Sequence, residues 1–431
     1  MTFRRALPVL AIFLTALGLR LFSLSGMEAY PRFELIRNTL DDQVAFDAWA
    51  KSIAEDRPFD YAKTAHEFAY WAGARPGVYP QTPAYPYFVA AVYKTFGYRY
   101  DAVRAVQMLL GALTAVIIYL LALRFTGRGI ALLCGMGAAA YGPLVFYEGT
   151  FLRAGPTVFA TAAGLLALDR LAERAPPKET SVAASRAWKR NDILAALGCG
   201  VLLGAGALLR PTNLAFAAGA VAWVVARRYS NDVAGALRTG LAVAVGTVLC
   251  LAPVITANTM ASGAPAFLSS NGPYIFFISN VHDASGLGAG QSPYYFEVKN
   301  SAPREEVNLV AETIADIQKY PVAYLTKQGS KLRAYFGGKE VPNNLNYDMG
   351  KRVNARQRAA FIEFWMLLPI AVLGIFASLV QARKFGLLYL FLSLQCLTTV
   401  AFYVIGRLRQ PAVVVLLVFA GVGFEALLRH K

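Results

Sequence analysis

The chain has 431 residues, of which 56% are hydrophobic and only 16% charged, and its mean hydropathy is +0.44; a soluble globular chain of this length is less apolar. Its formal charge of +16 invites a nucleic-acid reading, but the Lys and Arg residues sit in short clusters between apolar runs instead of forming one basic surface. Nucleic acid is therefore excluded as a partner, and the bilayer is the expected solvent.

The first element in chain order is an apolar run over residues 7–24 behind Arg4 and Arg5. It is long for the hydrophobic region of a signal peptide and no A-x-A site follows, so it reads as an uncleaved first span. A polar segment, residues 25–102, comes next. Its Trp, Tyr, Phe and Pro content argues for an ordered, functional loop. Within it Phe46, Trp49, Ala50 and Ile53 recur at helical spacing, which predicts an amphipathic helix over 42–56 lying on the membrane surface. Asp42 falls on the apolar stripe of that helix, where desolvation would raise its pKa and make it a proton acceptor near neutrality. Asp47 points about 140° away and is expected in water. Thr39 to Asp42 also fits a helix-capping pattern with Asp41 and Asp42 at the positive end of the dipole, so capping and catalysis both stand as roles for Asp42. A Pro-rich stretch from Arg75 to Pro86 follows, then Tyr87 to Phe96, apolar but too short to cross. Trp71, Tyr85 and Tyr87 read as interfacial anchors.

Apolar runs over 103–123, 129–147 and 151–168 come next. Glu148 interrupts them at the tip of a tight hairpin on the same side as Asp42; an acid there is a functional candidate, with a local pair to Arg153 as the structural alternative. Runs at 193–209, 212–226 and 237–256 follow, with Arg210-Pro211 after the first. In the second long polar segment, residues 257–358, Val307, Val310, Ile314 and Ile317 predict a helix with Glu305 and Glu306 in its first turn, ending near Tyr320-Pro321. A second helix over 322–336 carries Lys327, Lys331 and Arg333 beside Tyr324, Leu325, Leu332 and Tyr335, a basic face suited to anionic lipid heads. The last runs are 361–380, 385–405 and 411–427, with Arg407 and Arg409 before the third. A guanidinium at a span end can grip a phosphate bidentately or simply snorkel, which leaves both readings open for Arg210, Arg407 and Arg409. Lys327 and Lys331 are equally read as active-site groups or lipid contacts.

A span needs about 20 apolar residues, so these runs make about ten spans in a single integral domain over 1–431. Arg4, Arg5, Arg124, Arg128, the stretch from Arg170 to Arg190, Arg227, Arg228, Arg238, Arg383, Lys384, Arg429 and Lys431 all fall on one side. The positive-inside rule makes that side cytoplasmic, places both termini there and puts the two long loops outside. Cys134, Cys199, Cys250 and Cys396 all lie in apolar runs, and His66 and His282 are isolated, so neither a disulfide framework nor a metal-ligand spacing is readable.

Several short runs are familiar in order and spacing. Leu40-Asp41-Asp42 through Phe46-Asp47-Ala48-Trp49-Ala50, Tyr79 to Tyr87, and Gly142-Pro143 through Tyr147-Glu148-Gly149 resemble bacterial members of the dolichyl-phosphate-mannose protein mannosyltransferase-like superfamily. These are GT-C glycosyltransferases related to the aminoarabinose transferases. Leu209-Arg210-Pro211-Thr212-Asn213, Ser270 to Asn280, Gly337 to Asn344 and Arg407-Leu408-Arg409-Gln410-Pro411 extend the likeness over nearly the whole chain. The resemblance implies an all-α polytopic membrane protein, a GT-C-like bundle of about ten transmembrane helices with two large extracytoplasmic loops carrying surface helices. It further implies an acceptor-activating acid at Asp42, with Asp41 completing the pair and Glu148 as a second acid, a polyprenyl-phosphate-linked sugar donor, and inversion at the anomeric carbon. Phe46 stands where a Tyr is usual, and the chain ends just after its last span without the soluble domain of longer relatives.

The expected function is transfer of a sugar from that lipid carrier to an extracytoplasmic protein, lipid or glycan at the bacterial cytoplasmic membrane. Asp42 would be the general base, and Arg210 with Arg407 or Arg409 would hold the phosphate. No cofactor is required by the pattern, and a divalent metal ion is left open. A transporter or lipid flippase, and a non-catalytic partner in envelope assembly, are the competing readings.

Overall fold

The structure, a computed structural model, describes residues 3–26, 42–59, 78–174, 182–229, 232–288, 292–301, 307–343 and 345–429. Asp41, His66, Trp71, Glu305 and Glu306 lie outside these residues. Regular structure among the described residues is helical, apart from two isolated backbone bridges. The helices are α1 (Phe3–Leu24), α2 (Asp42–Ala54), α3 (Ala84–Phe96), α4 (Tyr100–Ala122), α5 (Arg128–Ala139), α6 (Gly142–Glu148), α7 (Ala154–Ala172), α8 (Val182–Leu209) and α9 (Asn213–Tyr229). They continue with α10 (Val233–Ser262), α11 (Gly272–Asn280), α12 (Pro293–Ser301), α13 (Leu309–Lys319), α14 (Pro321–Tyr335), α15 (Tyr347–Val353), α16 (Phe364–Ser378), α17 (Ala382–Ala401) and α18 (Gly406–Arg429).

Among the described residues six helical stretches are long and apolar enough to cross a membrane: Ala6–Leu24, Tyr100–Ala122, Arg190–Leu209, Val233–Ser262, Phe364–Ala401 and Gly406–Arg429. The fifth is a hairpin, because a 3-10 turn at Leu379–Gln381 reverses the chain and the Tyr389 hydroxyl reaches back to donate to Ile375 O at 3.0 Å. This is an integral membrane protein. Close helix pairs rest on small residues: a Cβ at Gly246 would fall on the Leu197 carbonyl between α10 and α8, and one at Gly374 on Phe419 O between α16 and α18.

The run expected to cross over 129–147 does not continue as one helix. α5 stops at Ala139, and Tyr141 bridges in parallel to Ile362, with Gly142 N on Ile362 O at 2.9 Å and Ile362 N on Ala140 O at 3.0 Å. Pro143, which has no N–H to lose, opens α6, and every residue of α6 is buried. The hairpin tip is thus a folded-in turn whose backbone groups are satisfied inside the protein, as irregular backbone at membrane depth must be.

Both long polar segments meet at one end of the bundle, where Ser270 N donates to Tyr79 O at 2.9 Å. Here α2 is buried, not laid on a membrane surface: Phe46 and Trp49 are each 1% exposed and pack with Tyr85, Tyr93, Phe146 and Phe151. Tyr85 is accordingly a core residue and not an interfacial anchor. Asp47, expected in water, is buried as well, because α3 and α4 close over that side of α2. It accepts from the Tyr93 hydroxyl at 2.5 Å and the Tyr100 hydroxyl at 2.9 Å, and pairs with Lys51 at 2.7 Å. The two expected helices near 320 are present as α13, capped by the Asn308 side chain, and α14. The faces of α14 are reversed from expectation. Lys327 and Lys331 are 7% and 0% exposed, whereas Val322, Leu325 and Leu332 face outward.

Candidate active site

At the loop-bearing end a cavity of about 340 Å³ is enclosed by the start of α2, the 80–82 strip, the 153 corner after α6, the α8–α9 turn, α11 and the α17–α18 turn. Asp42, Arg153, Arg210 and Arg407, from four separate parts of the chain, all line it, with Gln81, Thr82, Thr212 and Tyr403 between them. A carboxylate and three guanidiniums therefore share one small space.

The Asp42 carboxylate is 7% exposed; its Oδ2 pairs with an Arg407 terminal nitrogen at 2.8 Å, and its Oδ1 accepts from Gln81 Nε2 at 3.4 Å. Burial alone pushes its pKa up, as its place on the apolar stripe suggested. The attraction and hydrogen bond of Arg407, helped by Arg153, outweigh that and hold the carboxyl below its usual value. The raised pKa expected from sequence is thus overturned, and Asp42 rests as an anion in an ion pair.

Arg153 donates to Thr82 Oγ1 at 3.3 Å and lies 6.0 Å from the Phe46 ring centroid. Arg210 is 5% exposed, and its Nε has no hydrogen-bond partner among the described residues. Neither arginine forms an ion pair among the described residues. Burial lowers the pKa of both, and repulsion from Arg153 and from Arg407 lowers that of Arg210 further. A buried cation with an orphaned donor, beside two others, marks a place for an anion.

Of the described sequence candidates, Glu148, Arg409, Lys327 and Lys331 do not line this cavity. Glu148 is buried in a two-pronged ion pair with Arg20 of α1, at 2.5 and 3.1 Å, and not with Arg153. Gln107 donates to the carbonyls of Glu148 and Thr150 at 2.9 and 2.7 Å, so this cluster fixes the tip that carries Arg153 into the cavity. Arg409 bonds Glu340 at 2.6 Å and the carbonyls of Tyr335 and Gly337 at 2.9 and 2.6 Å, and stacks over Phe364 with 3.5 Å to the centroid. Lys327 donates to the carbonyls of Asn280 and Val281. Lys331 donates to Asn280 Oδ1 at 2.9 Å and Phe402 O at 2.6 Å; burial, with Lys327 nearby, brings its pKa down to about 7. Since Phe402 lines the cavity, Lys331 braces a wall without reaching the interior. His282 is held on Asp316 at 2.7 Å, and no cluster of three His, Cys, Asp or Glu residues suited to a metal occurs among the described residues. A second cavity, about 370 Å³ beside Tyr347 and Trp365, has its acids already paired, Glu340 with Arg409 and both Asp348 and Glu363 with Lys351.

Sequence reasoning considered Arg153 only as a partner for Glu148 and passed over Gln81 and Tyr403. The usable signal was polar residues beside prolines at the loop-side ends, in Gln81-Thr82-Pro83 and Arg210-Pro211-Thr212.

Residues 80–257, less than half of the chain, match a family model described as dolichyl-phosphate-mannose-protein mannosyltransferase. No curated protein is significantly similar. Among solved structures the chain is similar to the archaeal oligosaccharyltransferase AglB from Archaeoglobus fulgidus in complex with an inhibitory peptide and a dolichol-phosphate, at 11% identity and a TM-score of 0.54, covering 100% of this chain and 51% of that one. It is also similar to an Archaeoglobus fulgidus oligosaccharyltransferase tethered to an acceptor peptide containing the NVT sequon, at 11% identity and a TM-score of 0.51, covering 98% of this chain and 50% of that one. The chain spans about half the length of these structures. The family model and these structures are both of the GT-C superfamily, and the fold here is of GT-C type.

Proposed function

We propose that this GT-C-type membrane protein is a glycosyltransferase that moves a sugar from a polyprenyl-phosphate carrier to an extracytoplasmic acceptor inside the cavity of Asp42, Arg153, Arg210 and Arg407. The observation that carries this reading is the charge of that cavity: one carboxylate is faced by three guanidiniums, Arg210 buried and Arg153 and Arg407 partly buried, and Arg153 and Arg210 form no ion pair among the described residues. A dolichol-phosphate bound to AglB on the same fold supports the donor class. The positive-inside pattern supports an extracytoplasmic cavity in a bacterial cytoplasmic membrane with both termini cytoplasmic.

In this reading the acceptor oxygen or nitrogen attacks the anomeric carbon from the side opposite the phosphate. The bond from that carbon to the phosphate oxygen breaks, the electron pair leaves with the lipid phosphate, and the acceptor proton passes to Asp42. The departing phosphate monoester carries more negative charge than the diester it came from, so the arginines bind the transition state more strongly than the donor. A donor phosphate that draws Arg407 to itself also releases Asp42 from its ion pair, so the base becomes free when the donor is in place. Asp41, its neighbour in sequence, is assigned as the companion acid.

General-base assistance contributes about 10²- to 10⁴-fold. Asp42→Asn is therefore expected to lose that much transfer in a reconstituted membrane assay, while still inserting and binding farnesyl phosphate, a short polyprenyl monophosphate. Arg210→Gln is expected to lose the farnesyl phosphate binding. Wild-type transfer by Asp42→Asn would remove the assigned base, and unchanged binding by Arg210→Gln would remove the phosphate site.

A further inference from the structure

Helix α14 is built inside out. Its inward side chains include Lys327, Lys331 and Tyr335, while Val322, Leu325 and Leu332 are 74%, 67% and 46% exposed. The same inversion runs through α13, where Thr313 and Asp316 are buried and Val310 and Ile314 are exposed. In water this arrangement is unfavourable twice over, because burying ammonium groups is costly and leaving aliphatic side chains in solvent forgoes their transfer free energy. Against hydrocarbon the second penalty vanishes. Lys319, Tyr320 and Arg333, all exposed, flank the aliphatic stripe as basic and aromatic residues do at the level of lipid phosphates. The stripe also adjoins the membrane-facing surface: α14 packs on α17, whose Leu397 is 64% exposed, and Lys331 grips Phe402 O at the end of that helix.

We propose that the α13–α14 hairpin lies in the interface of the bilayer leaflet at the loop-bearing end, with Val310, Ile314, Val322, Leu325 and Leu332 among the upper acyl chains and Lys319 and Arg333 on lipid phosphates. The long second loop is then partly a membrane element. Its inner face holds the cavity wall through Lys331, and through Asn280, whose Nδ2 donates to Ala401 O at 2.9 Å; bilayer contact on one side of α14 thereby supports the cavity on the other. This placement stands apart from the sugar-transfer reading and survives its failure.

The test is site-directed spin labelling of the full chain in phosphatidylethanolamine and phosphatidylglycerol liposomes, with Val322→Cys and Leu325→Cys as separate variants, Glu55→Cys in the exposed turn after α2 as the aqueous reference, and the unsubstituted chain labelled in parallel. The ratio of oxygen to water-soluble nickel-chelate accessibility is expected to be several-fold higher at Val322 and Leu325 than at Glu55. A ratio equal to that at Glu55 would put the hairpin in water and overturn the proposal. Low collision with both reagents would also overturn it, since the stripe would then be covered by protein, either another part of this chain or a second copy.

Discussion

Asp42 is pulled in two directions, by burial that favours its neutral form and by two guanidiniums that favour its anion, and the guanidiniums prevail. Its position on the stripe of α2 was legible in the sequence; the sign of the shift was not, because Arg407 lies 365 residues away along the chain. A carboxyl whose folded pKa is depressed contributes stability that is full above its unfolded value, about 3.9 for Asp, and is lost as pH falls through the lowered value. The acidic limb of kcat/KM, which reports the free enzyme, is therefore expected below the ordinary Asp range. With donor saturating, the phosphate takes Arg407 and adds its own negative charge, so the acidic limb of kcat should move to higher pH. Pruned of Arg407 as Arg407→Gln, the free enzyme should show its kcat/KM limb at the higher position too. Limbs that coincide in the unsubstituted protein would mean that the donor leaves the Asp42–Arg407 pair intact.

Helical periodicity located α14 and the end of α13 almost to the residue, but α13 starts at Leu309 behind its Asn308 cap, leaving Val307 outside the helix, and the pattern placed the wrong environment on each face. Spacing tells which side chains share a face, and only the neighbours decide whether that face meets water, lipid or protein. Hydropathy likewise could not show that 129–147 breaks into α5 and the buried α6, since the break is made by Ile362 from a distant part of the chain. The same distance hid the partner of Glu148, which is Arg20, 128 residues earlier. That pair locks α1 to α6, and α4 approaches so closely that a Cβ at Gly111 would collide with the Glu148 carboxylate. Removing one member of a buried pair leaves the other charge stranded, at a cost of about 3–5 kcal/mol, whereas replacing both with apolar residues is often neutral. Glu148→Leu alone should thus sharply lower resistance to thermal inactivation, and Arg20→Met with Glu148→Leu should restore most of it. Sugar transfer retained in the double variant would assign Glu148 to holding the hairpin tip; transfer lost to the level of Asp42→Asn, in a protein of restored stability, would instead make it part of the chemistry.

Across the whole molecule, the apolar runs and their basic flanks were enough to read a polytopic helical bundle, and among the described residues six helical stretches, one of them joining two of those runs, meet the length and hydropathy a crossing needs. α9 falls short at 17 residues, and α7 carries Asp169 and Arg170 near its end, with Asp169 paired to Arg124 at 2.7 Å. Such helices can be shorter or more polar because protein, not lipid, surrounds much of them. One-dimensional reading expected Asp42, Arg210 and Arg407 at one site but could not place Arg153 there or choose between Arg407 and Arg409: Asp42, Arg153, Arg210 and Arg407 are far apart in sequence and meet only when the bundle closes. That convergence has an energetic consequence for the molecule as a whole. Three cations held around one anion repel one another, and that repulsion opposes the compact state. Arg210→Gln is accordingly expected to raise the midpoint of thermal inactivation without ligand, by about 2 °C for each kcal/mol of relieved repulsion. Farnesyl phosphate at a hundredfold excess over its Kd should stabilise the unsubstituted protein by about 2.7 kcal/mol and leave Arg210→Gln nearly unmoved. An Arg210→Gln protein less stable than the unsubstituted one when empty would show that the cavity's charge is balanced internally, and that its arginines hold the fold together instead of waiting for a phosphate.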